Sequence, residues 1–129
     1  EIGWRGYAMP RLVERHGALR ASALVGLGWC GWHATMFALQ GFTPTVYAAS
    51  MAMLFAGSFV FGWLFVGSRG RLVVAWLAHV GLHLDNPTRA LEQSATPYLV
   101  FVGAAIVAGL AAALSLLRER APGPNPPIA

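Results

Sequence analysis

Five ionisable side chains in this sequence stand where few charges are tolerated: Glu1, Arg5, His33, His79 and His83. Each sits in an apolar stretch. Glu1 and Arg5 are four residues apart, so a helix puts them on one face within pairing reach. A carboxylate and a guanidinium among apolar neighbours are costly unless they face a protein interior, where they mark function by default. The pair alone fits a salt bridge at a membrane edge equally well. A carboxylate with imidazoles in apolar helices can form a small proton or ion pathway. His79 and His83 share a helical face and have a legitimate spacing for two zinc ligands. The zincin signature needs Glu directly after the first His, and Val80 stands there instead. His16 lies among charges and reads as solvated, and Cys30 reads as small-residue packing. There is no Ser/His/Asp constellation, no Gly-rich phosphate loop before a helix, and no Cys/His dyad with obvious spacing.

The elements that hold these residues must be membrane helices. The chain has 129 residues, 57% hydrophobic and only 11% charged, against about 25% charged in soluble domains. Mean hydropathy is +0.57. Residues 21–39 form an uncharged run long enough to span, and residues 46–66 form a second. Residues 72–84 are apolar but reach only about 20 Å at helical rise, short of a crossing. Residues 98–117 are a third clean span. Residues 1–9 read as the end of a helix, with Pro10 as kink or exit and 11–17 as a short interfacial turn stopped by Gly17. Small residues recur along the first span at Ser22, Gly26, Cys30, Gly31 and Thr35, which allow close helix packing in lipid. The expectation is an all-α polytopic membrane bundle of about four to five helices over residues 1–120. A disordered Pro-rich cytoplasmic tail is expected over 121–129.

All nine basic residues are Arg. If the spans alternate, Arg11, Arg15, Arg20, Arg69, Arg71, Arg118 and Arg120 fall on one side and only Arg89 on the other. The positive-inside rule makes the first side the cytoplasm. The net charge of +4 is then explained by topology, and no basic patch interleaved with exposed aromatics suggests nucleic acid. Counted from these arginines, Glu1, His33 and His79 lie about 15, 20 and 12 Å deep. One buried histidine is more often a packed residue than a site. Three polar groups from separate helices in one layer reverse that preference and predict a shared cavity, open towards the cytoplasm.

The local motifs resemble those of the CPBP family of intramembrane proteases, the type II CAAX prenyl endopeptidases and their bacterial Abi-like relatives. Glu1-Ile2-Gly3-Trp4-Arg5-Gly6-Tyr7-Ala8-Met9-Pro10-Arg11-Leu12 looks like the first signature, Glu-Glu-x-x-x-Arg, beginning at its second glutamate. The chain therefore reads as a fragment. Trp29-x-x-x-His33 resembles the second motif, Phe-x-x-x-His, with Trp for Phe. Gly70-Arg71-Leu72 through Ala78-His79 resembles the segment carrying the last histidine of the pattern His-x-x-x-Asn, with His83 for Asn. The resemblance covers the chain to about Asn86.

What the resemblance implies is an endopeptidase of the cytoplasmic membrane, bacterial and multi-pass, acting on a membrane-associated or prenylated-type protein or peptide. Water would be activated by glutamate and histidine. Glu1, His33, His79 and His83 would be catalytic, Arg5 a structural ion pair, and Trp29 and Trp32 the pocket wall. The lipid bilayer is the other partner. No cofactor is expected, with a His79/His83 zinc site as the alternative. The rival functions are a non-catalytic scaffold or bacteriocin-immunity protein, and the proton or ion pathway.

Overall fold

The computed structural model describes residues 1–84 and 95–118, without the side chains of His83 and Leu84. The expected tail at 121–129 lies outside the described residues. Among the described residues the order is a π-helical segment Ile2–Ala8, then α1 (Met9–Leu39), α2 (Pro44–Gly67), α3 (Leu72–Leu84) and α4 (Ala95–Arg118). The expectation of an all-α membrane bundle is met. By length and hydropathy α2 and α4 can each cross a membrane.

The ends of these helices follow from local chemistry. Pro10 does not break the chain: it falls in the first turn of α1, and Ala8 and Met9 before it keep helical backbone angles. The bend comes at Gly17, whose φ of 75° interrupts α1 in a region that favours glycine. The start of α2 is capped by Thr43, whose side chain accepts from the Val46 N–H at 3.4 Å, and Pro44 occupies the first turn. Its end is closed by two bonds, Arg69 N–H to the Val66 carbonyl at 2.9 Å and Gly70 N–H to the Phe65 carbonyl at 2.8 Å, with Arg69 at φ 57° and Gly70 at φ 77° both in the left-handed region, the Schellman pattern with an arginine where glycine is usual.

Helix α2 is central, with α1 and α4 packed against it and α3 leaning on α2 and the π-helical segment. Small side chains allow this. A Cβ added to Gly26 would strike the Ser58 hydroxyl, and one added to Gly62 would strike that of Ser22. The two contacts are reciprocal, and the Ser58 hydroxyl donates to the Ser22 carbonyl at 2.9 Å. On the other side Gly109 lies directly against the Ala56 backbone, and Ser50 and Tyr98 share a buried hydroxyl–hydroxyl bond. Close backbone approach through Gly and Ser is how helices associate where lipid removes the hydrophobic drive. The outside is correspondingly apolar: Val73, Trp76, Val100, Val107, Leu110 and Leu114 are all exposed.

Candidate functional site

The π-helical segment builds the first half of the site. Its wider turn keeps the Arg5 and Gly6 N–H groups donating to the Glu1 carbonyl, at 2.8 and 3.1 Å. The Arg5 and Glu1 side chains point inward together. Arg5 Nη1 donates to Glu1 Oε1 at 3.1 Å, and the two side chains are only 1% and 3% exposed. Such short π-helical stretches recur at functional sites. The Arg5 guanidinium lies 4.6 Å from the Trp29 ring centre and 4.6 Å from that of Phe61. Those two rings meet nearly at right angles, 5.6 Å apart at 83°, so the cation occupies a corner between two aromatic faces.

Helix α3 brings the third member. His79 Nδ1 is hydrogen-bonded to the same Glu1 oxygen that receives Arg5. A carboxylate only accepts, so Nδ1 carries the proton of this bond. Glu1 therefore stands between a guanidinium and an imidazole, and Arg5–Glu1–His79 is one continuous chain of bonds from two elements.

His33 arrives from α1. Its Nδ1 donates to the Trp29 carbonyl at 2.9 Å, since a backbone carbonyl also only accepts. In the neutral ring that leaves Nε2 as the lone-pair nitrogen. The Trp29 ring stands beside both histidines, 5.6 Å from His33 and 5.6 Å from His79 between ring centres.

His33 and His79 line one cavity of about 320 Å³, within the usual range for small-molecule sites. Trp29, Phe37, Leu54, Phe61, Leu82 and Phe101 supply apolar wall, and Gln40 adds a polar group. Glu1 is not part of the lining; it reaches the cavity through His79. The lining runs from Trp29 to Gln40 on α1 and from Phe61 back to Met53 on α2, the half of the bundle remote from the arginines. At the arginine end Met9, Ala21, Val25 and Phe65 fill the space.

Trp32 is also a correction. It is 75% exposed and absent from the lining, because it is turned about 100° round the helix from His33 and faces outward. Trp29 is buried and lines the cavity. His83 belongs to the last turn of α3, but its side chain is outside the described residues, and with it the His79/His83 zinc alternative. Among the described residues no group of three His, Cys, Asp or Glu side chains gathers to hold a metal. Sequence reasoning missed Phe61, Leu54 and Phe101: inside uniformly apolar runs nothing distinguishes a wall residue from a lipid-facing one.

Comparison with known proteins adds an independent line. Residues 1–84 match the family model described as type II CAAX prenyl endopeptidase Rce1-like. The chain is similar to CAAX prenyl protease 2 of Methanococcus maripaludis, 26% identical over 119 residues, covering 83% of this chain and 44% of that protein. The chain thus spans less than half the length of that curated relative. No solved structure matches.

Proposed function

Because the chain belongs to the Rce1-like family of type II CAAX prenyl endopeptidases, we propose that it carries the water-activating half of an intramembrane endopeptidase. The proposed substrate is a membrane-associated peptide of the CAAX type, in which an aliphatic tail follows a prenylated cysteine. One observation carries this reading. Two histidines from separate helices line one apolar cavity, and each has its Nδ1–H tied back, to a carbonyl or to a carboxylate.

The chemistry follows from those two bonds. His33, fixed by Trp29, presents Nε2 as a lone pair to a water and takes its proton as the oxygen attacks the scissile carbonyl. His79, in its protonated form paired with Glu1, donates Nε2–H to the oxyanion that develops. On collapse of the tetrahedral intermediate the C–N bond breaks, and the proton held by His33 passes to the departing amine. Glu1 acts on His79 and not on the water. His83 stands where the family pattern has Asn, and this reading gives it the same donor role. The apolar walls admit a lipidated or aliphatic segment and exclude bulk water. No metal is required in this scheme.

The test is cleavage of a fluorogenic CAAX-type membrane peptide by the full-length protein. His33→Ala and His79→Ala should each lower turnover about 10²–10³-fold, the usual size for losing one such group, while His83→Asn stays active. Activity that disappears on chelation and returns with zinc would replace this scheme with a histidine-bound metal. A parent protein that cleaves nothing, or histidine variants as active as the parent, would favour a non-catalytic family member.

A further inference from the structure

Glu1 holds His79, so the position of one carboxylate sets the position of an imidazole at the cavity. The N-cap side chain of that first segment makes no capping bond, and the carboxylate is anchored through Arg5. Arg5 in turn bonds Glu1 through Nη1, and its guanidinium is placed by the ring faces of Trp29 and Phe61, each 4.6 Å away. The same rings flank His79, at 5.6 and 5.8 Å. Trp29 comes from α1 and Phe61 from α2, so the corner exists only when those helices are docked.

We propose that Phe61, with Trp29, is a positioning residue: the two π faces fix the Arg5 guanidinium, Arg5 fixes Glu1, and Glu1 fixes the Nδ1 proton and the orientation of His79. The physical basis is the negative face of an aromatic ring, which attracts a cation most strongly where water is excluded, and Arg5 is buried. An aliphatic side chain of similar size fills the space and provides no such attraction. The proposal rests on the endopeptidase reading only for its kinetic arm.

The test keeps the shape and removes the charge. Phe61 is replaced by 3,4,5-trifluorophenylalanine, which has nearly the same volume and a ring face stripped of its negative potential. In the full-length protein kcat should fall about tenfold, within the range of one cation–π contact. Phe61→Leu should do at least as much, and Phe61→Tyr, which keeps a π face, should recover most of the loss. A second arm needs no substrate. Nitrogen-15 spectra of labelled histidine should show His79 protonated at Nδ1 in the parent and a mixture of forms in the trifluoro variant. A trifluoro variant with the parent's kcat and the parent's His79 spectrum overturns the proposal. So does loss of activity in Phe61→Leu alone, which would make ring volume the cause. A parent that cleaves no peptide while the His79 spectrum changes as stated sinks the endopeptidase reading and leaves the positioning role standing.

Discussion

Removing Arg5 should cost more than its one hydrogen bond suggests. Arg5 is 1% exposed and Glu1 3% exposed at the side chain, so Arg5→Ala leaves a carboxylate buried with His79 as its remaining partner. Breaking a buried pair by deleting one member costs about 3–5 kcal/mol. The surviving His79 bond puts the loss near the lower end, about 3 kcal/mol, which is roughly two powers of ten in the folded-to-unfolded ratio. The double variant Glu1→Gln, Arg5→Met separates the causes. It removes both charges and keeps the volumes, and replacing a whole buried pair is often nearly neutral. Its stability should return to within about 1 kcal/mol of the parent on the same reasoning, while its activity stays low because His79 has lost its carboxylate. The assay is reversible unfolding of the detergent-purified protein in mixed micelles, with folded yield by size exclusion and peptide cleavage alongside. An Arg5→Ala protein as stable and as active as the parent would refute the argument. So would a double variant that regains full activity.

Three further outcomes are expected. Gly109→Ala would drive a Cβ into the Ala56 backbone, which cannot give way, and should destabilise by about 1–3 kcal/mol; Gly103→Ala on the same helix meets nothing within 4 Å and should be neutral or stabilising by up to about 1 kcal/mol in the same unfolding assay. Tyr98→Phe removes the buried bond to Ser50, but the Ser50 hydroxyl keeps the Val46 carbonyl at 2.7 Å, so the expected loss is only about 0.5–1.5 kcal/mol; a loss above about 3 kcal/mol would mean that the pair supports more than helix docking. In a background without Cys30, cysteines placed at Ser68 and Gly41 should be labelled from opposite faces of the membrane, with Ser68 on the cytoplasmic face as the arginine bias requires. Labelling of both from one face would contradict the bundle, and labelling of Ser68 from outside would contradict the orientation.

The sequence by itself determined that this is a membrane helix bundle, because uncharged runs near twenty residues have few other solutions. Boundaries of α2 and α4 follow from the same runs and from Thr43, Pro44 and Gly70. It also singled out Glu1, Arg5, His33 and His79, since ionisable groups in such runs are too costly to be incidental. It did not determine which way they act. That His79 shares a Glu1 oxygen with Arg5, and that Glu1 lies behind the cavity wall, depends on how α3 seats against the π-helical segment, 78 residues apart in the chain. The placing of the cavity wall was also a tertiary decision. Trp29 and Trp32 differ by three positions and look alike in sequence, yet one is a wall and the other faces out. Phe61 carried no signal, because in a run where every residue is apolar, only the packed neighbour distinguishes a ring held against a cation from one held against lipid.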